Sequence, residues 1–174
     1  MKNAKIFTAF IFFLLSGVVA VAQTGSNDIV ENAMMSKDHS TLVAAVKAAD
    51  LVDVLKSDGP FTVFAPVNSG FEALPDGTVE SLLKKENQKQ LQAVLTYHVV
   101  PGDIKASDVV SAIKDGNGTA TLTTVHGSEL KATLDGDKVK ITDTAGNTAT
   151  VVAADIDSSN GVIHAIDTVL LPTK

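Results

Sequence analysis

The chain has 174 residues, 45% of them apolar and 20% charged, with a formal net charge of −6 at neutral pH. Every basic side chain apart from histidine is lysine and cysteine is absent, which excludes disulfides, thiolate metal sites and lipidation at an N-terminal cysteine. An acidic chain without the arginine fork that grips phosphate bidentately is unsuited to nucleic acid.

Lys2 and Lys5 make a basic start, an apolar run leads from Ile6 to Val21, and Ala20-Val21-Ala22 has the small-x-small pattern cut by a signal peptidase. The pattern predicts a leader over 1–22, a mature start at Gln23 and a short polar lead-in over 23–25. No later run is long and apolar enough to cross a membrane. The remainder suffices for one domain with its own core.

From Asn27 the rhythm is helical, with Ile29, Val30, Ala33 and Met34 on one face. Ser40 or Thr41 is placed to cap a second helix carrying Leu42, Val43 and Val46, and Asp50 to cap a third carrying Leu51, Val54 and Leu55. Asp58-Gly59-Pro60 breaks the rhythm. Phe61-Thr62-Val63-Phe64 reads as a short strand stopped by Pro66, which has no N–H to offer. Phe71 and Leu74 mark one helical turn, and helices over 78–85 and 87–96 bury Leu82, Leu83, Leu91, Val94 and Leu95. A last helix covers Ala106 to Ile113.

The period then changes to two. Leu130, Ala132 and Leu134 alternate with Glu129, Lys131 and Thr133, and Val139 and Ile141 alternate with Lys138, Lys140 and Thr142. Asp135-Gly136 predicts a hairpin and Gly146-Asn147 a further turn. Asn160-Gly161 predicts a turn with positive φ at both central residues, joining strands over 148–156 and 162–170. Helices first and antiparallel hairpins later give an α+β class, with N-terminal helices packed on antiparallel β-strands.

Candidate chemistry is sparse. The histidines His39, His98, His126 and His164 lack the short spacings of metal ligands. His98 and His164 read as core residues with a satisfied ring nitrogen. Asp155, Asp157, Ser159 and Asn160 resemble the start of a calcium loop, yet its sixth and twelfth places hold Asn160 and Ile166 instead of glycine and glutamate. There is no G-x-S-x-G turn, and Gly116-Asn117-Gly118 lacks the lysine of a phosphate loop. The pattern calls for no catalytic group, no metal and no cofactor.

Three stretches together resemble the fasciclin family. Phe61-Thr62-Val63-Phe64-Ala65-Pro66 with Asn68 and Phe71 is similar to its first signature segment. Tyr97-His98-Val99-Val100-Pro101-Gly102 is similar to its tyrosine-histidine motif. Asn160-Gly161-Val162-Ile163-His164, with Ile166-Asp167, Val169-Leu170 and Pro172, is similar to its second signature. Order and spacing fit one complete domain over 26–172. The family usually has threonine where this chain has Val67, and a small non-glycine residue at Gly70.

The resemblance implies a compact wedge of strands and helices, found in extracellular adhesion and matrix proteins, without shared catalytic chemistry. Tyr97, His98, Asn160, Gly161 and His164 are then expected to stabilise the fold. Adhesive animal members carry an Asp-Ile pair implicated in receptor binding where this chain has Asp155-Ile156. The plainer reading makes Ile156 a core strand residue with Asp155 solvated beside it. The expected function is a secreted, extracellular or periplasmic, monomeric binding and adhesion module without a membrane span. Its partner would be extracellular matrix, a cell-surface protein or a polysaccharide. The alternative is a carrier of a small apolar ligand such as a carotenoid or lipid, in a cleft lined by Phe61, Phe64 and Phe71.

Overall fold

The computed structural model describes residues 27–173; the expected leader, the Gln23 start and the lead-in lie outside them. The first described element is α1 (Ile29–Met35). Asp28 starts it, its carboxylate accepting the Glu31 N–H at 2.8 Å while Glu31 accepts the Asp28 N–H at 3.2 Å. This reciprocal cap satisfies two amides that a helix start leaves open.

Helices α2 (Ser40–Ala48) and α3 (Val52–Lys56) follow, but neither has the cap its sequence suggests. Ser40 is the first helical residue, and the Thr41 N–H is taken instead by Asn68 Oδ1 at 3.0 Å. That cap comes from α4 (Asn68–Glu72), beyond the intervening β1 (Phe61–Pro66). Asp50 caps nothing: it has φ 59° in the turn between α2 and α3, a left-handed geometry that aspartate tolerates better than most residues.

The helix expected over 78–85 is shorter, α5 (Thr78–Leu82), with a 3-10 turn at Lys85–Asn87 before α6 (Gln88–Tyr97). Strand β2 (Val99–Pro101) and helix α7 (Ala106–Asp115) lead into the hairpins β3 (Thr119–Thr123), β4 (Glu129–Asp135) and β5 (Lys138–Thr142). The last strands are β6 (Thr148–Ser158) and β7 (Gly161–Ile166).

The sheet runs β2-β1-β7-β6-β5-β4-β3. Its pairs are antiparallel except one. β1 and β7 are parallel, registered from Phe61 opposite Gly161 to Pro66 opposite Ile166, so the two signature segments lie side by side. The Asn160-Gly161 turn is not the one predicted. Ser158 pairs with Gly161, so Ser159 and Asn160 are the turn and Gly161 begins β7. Glycine is needed there because a Cβ would run into the Phe61 carbonyl of the neighbouring strand. The β4–β5 hairpin closes as expected, with Gly136 at φ 62° in the first central position.

Two cores flank the central strands. Helices α1, α2 and α6 cover the first, where Ile29, Leu42, Val46, Phe71, Leu91 and Leu95 meet Val63, Ala65 and Ile163. The second lies between α7 and the hairpins, where Val109, Ile113, Leu130 and Ile141 meet Phe64 and Ile166. Because β1 and β7 are buried on both faces, their sequences are almost continuously apolar, and period-two alternation appears only in the outer hairpins. Each fully buried large aliphatic side chain contributes about 1.5–3 kcal/mol.

Candidate functional site

β6 loses register with β7 twice, between Val151 and Ala153 and between Ala153 and Ile156. Asp155 sits in the second irregularity at φ 56°, where a bulge re-aims the chain. Its N–H donates to His164 Nδ1 at 3.2 Å, and its carboxylate accepts the Ala106 N–H at 2.8 Å. The latter is one of the open amides at the start of α7. His164 is buried against the Phe64 ring, with centroids 5.6 Å apart, and donates from Nε2 to the Ile104 carbonyl at 2.8 Å. Thr62 accepts the Ile104 N–H and donates to the Gly102 carbonyl. The loop between β2 and α7 is thus held by β1, β6 and β7 together.

The two halves of the Asp-Ile pair therefore part company. Asp155 is exposed, but its carboxylate caps a helix. Ile156 is half-buried, opposes Ile163 and packs on the first core. Around Asp155 the surface is polar, with Asp103, Asp157 and Ser159 exposed and Lys105 ion-paired to Asp157 and Asp103. Such partly exposed pairs add at most about 1 kcal/mol.

The other signature residues turn inward. His98 closes α6, donating from Nδ1 to the Val94 carbonyl at 2.7 Å and accepting the Leu170 N–H on Nε2 at 3.0 Å. Complete burial pushes its pKa down to about 4, against the opposing pull of the Val94 carbonyl and Asp143. Tyr97 is fully buried; its hydroxyl donates to the Glu129 carbonyl at 3.2 Å and accepts the Thr144 N–H at 3.1 Å. The Asn160 side chain accepts the Ile29 N–H at 3.0 Å and donates to the Leu55 and Ser57 carbonyls at 2.6 and 3.1 Å. One asparagine thereby joins α1, α3 and the β6–β7 turn. Burial also lowers the pKa of His39, whose Nδ1 meets the Ser36 hydroxyl at 2.8 Å.

A sequence profile of the Fasciclin domain matches residues 37–172. The chain belongs to the fasciclin family. It is 52% identical over 158 residues to Protein sll1483 of Synechocystis sp., covering 90% of this chain and 81% of that one. It is 33% identical over 162 residues to Immunogenic protein MPB70 of Mycobacterium bovis, covering 90% of this chain and 75% of the relative. The solved FAS1 domain pair of the insect cell adhesion molecule Fasciclin I superposes with a TM-score of 0.53 at 20% identity, over 81% of this chain and 43% of that one. At that identity the likeness carries the fold alone, and it agrees with the expected α+β class.

Within this fasciclin domain the three phenylalanines do not form one cleft. Phe64 belongs to the second core, while Phe71 and the half-buried Phe61 pack in the first. β1 forces the split between Phe61 and Phe64, since side chains an odd number of residues apart leave opposite faces. Phe64 alone of the three lines a groove of about 240 Å³, with His164 and the valines 109, 110, 139 and 152. Gly70 lets α4 approach the end of β7: a Cβ there would come 2.9 Å from the Asp167 carbonyl. No helix of the described residues is long and apolar enough to cross a membrane.

Asp143 is a residue that motif reading passes over. Buried in the β5–β6 turn, its carboxylate accepts the Asn147 N–H, the Asn147 side chain and the Leu171 N–H at 2.8, 2.9 and 3.0 Å. An aspartate three residues before Gly146 is the turn signal that points to it.

Proposed function

We propose that this fasciclin domain is an exported contact module. It attaches to extracellular matrix, a cell-surface protein or a polysaccharide, and performs no covalent chemistry. One observation carries the reading: His98, His164, Tyr97 and Thr62 each have their polar atoms engaged with main chain inside the fold. Side chains so committed serve as scaffold, and what remains for a partner is surface. The surface best suited to contact is the polar rim of Asp103, Asp155, Asp157 and Ser159 beside the β6 bulge. Export rests on the basic, apolar and small-residue order of residues 1–22.

The test uses Asp155→Ser, which keeps an oxygen able to cap α7 while removing the charge. Retention of purified protein on matrix-, cell- and polysaccharide-coated surfaces is expected to fall several-fold with little change in melting temperature. Unchanged retention would remove Asp155 from the contact, and absence of retention on every surface would overturn adhesion itself. Mass analysis of the exported protein is expected to show a start at Gln23. A second reading, carriage of a small apolar molecule, is favoured by the groove beside Phe64 and His164. Protein purified from its own host and extracted with solvent would then yield a stoichiometric apolar compound.

A further inference from the structure

Beyond Ile166 the chain leaves the sheet and runs as a strap between the two cores, with Leu170 in the second and Val169 and Leu171 against the first. Leu170 is fully buried and Val169 nearly so. The strap's backbone is held at adjacent positions by two titratable side chains from different elements. His98 Nε2 accepts the Leu170 N–H at 3.0 Å, and Asp143 Oδ2 accepts the Leu171 N–H at 3.0 Å. Farther along, the Thr173 N–H reaches the Thr144 hydroxyl at 3.4 Å.

The hydrogen bond at Leu170 requires a neutral imidazole. His98 already donates from Nδ1 to the Val94 carbonyl, so its second nitrogen is the only one that can accept. A proton added there would set N–H against N–H, and the segment would lose its acceptor inside an apolar core. Of the groups packed around His98, Asp143 from the β5–β6 turn is the charged one acting on it and steadies an imidazolium only in part. Tyr97 lies edge-on at 6.4 Å with its hydroxyl committed to Glu129 and Thr144.

We propose that segment 168–173 is an acid-released latch, seated while His98 is neutral and detached from the cores when His98 gains its proton. Release would uncover the socket of Leu170 between α6 and the β5–β6 turn. It would also free Asp143 from one of its three N–H partners, loosening that turn.

The linkage is quantitative. Burial holds His98 down to about 4, below the 6.5 of an unperturbed imidazole, so the open population rises by up to about tenfold per pH unit as pH falls between those values. The test is residue-resolved amide hydrogen exchange on the purified protein at pH 7 and pH 5, corrected for intrinsic rates. Protection at Leu170 and Leu171 is expected to fall by up to about 20-fold, while amides of β7 from Val162 to Ile166 hold. Equal loss in both sets would mean global unfolding, and no loss at Leu170 would mean no latch; either overturns the proposal. His98→Gln keeps an acceptor oxygen without a titrating group and is expected to make Leu170 protection independent of pH. Persistence of the wild-type pH dependence in that variant would overturn it as well. Should the variant not fold, the wild-type profile decides alone.

Discussion

The β1–β7 side of the molecule and the β3–β5 hairpins are built on different logic. On the β1–β7 side, remote segments are tied by single polar side chains: Asn160 reaches α1 and α3, Asn68 caps α2, and Thr62 with His164 holds the loop before α7. In the hairpins, strands pair with their sequence neighbours, and Leu130 and Ala132 point inward between exposed Glu129 and Lys131. The first region depends on a few groups with no substitutes. The second depends on an alternation that many residues could supply.

Glycine to alanine in each region draws the contrast most sharply. Gly161→Ala drives a Cβ into the Phe61 carbonyl across the parallel pair and is expected to cost about 4 kcal/mol or more, or to abolish folding. Gly136→Ala has open space around it and pays only for left-handed backbone, about 1 kcal/mol. Denaturant midpoints of the two variants measure the difference.

Acid is expected to act on the first kind of region next. His98 titrates near 6.5 when unfolded and about 4 when folded, so the unfolded chain binds more protons between those values. Its contribution is complete above pH 6.5 and is lost as pH falls toward 4, amounting to about 3 kcal/mol in full. His39, shifted the same way by burial, adds to the slope. Stability measured by denaturant from pH 7 to pH 4 should show the decline, and His98→Gln should remove most of it.

Asn160→Ala leaves the Ile29 amide and two carbonyls without partners, for an expected loss of about 2–3 kcal/mol. Thr121→Ala on the exposed face of β3 should stay within about 0.5 kcal/mol; a loss as large as that of Asn160→Ala would erase the contrast. Asp155→Ala should cost about 1 kcal/mol for the lost α7 cap, and Asp155→Ser should restore it in thermal melts.

The sequence was readable where structure is local. Periodicity marks α1, α6, α7 and the β4–β5 hairpin, because their defining contacts fall within a few residues. It cannot reveal that β1 and β7 run parallel, since that pairing joins the two ends of the domain. The α2 cap is missed for the same reason, its acceptor lying on Asn68 in another helix. Asn160-Gly161 resembles a turn dipeptide, yet its glycine is dictated by a strand on the far side of the chain. Burial of His98 and His164 is legible from their apolar neighbours. The helix-capping bond of Asp155 is not, because a bulge in β6 aims it and period-two patterning has no register for an extra residue.

The last of the described strands, β7, occupies the middle of the sheet, between β1 and β6. Until it arrives, both of those strands present open edges, and the first signature segment has no partner on its β7 side. A chain stalled or clipped before Gly161 would therefore carry two apolar templates for pairing with other molecules. Closure also waits for contacts of the longest sequence separation, which places folding in the slow, millisecond-to-second class. The domain can lock only once β7 has been synthesised, and a chain cut before Gly161 should yield aggregates rather than a smaller stable fold.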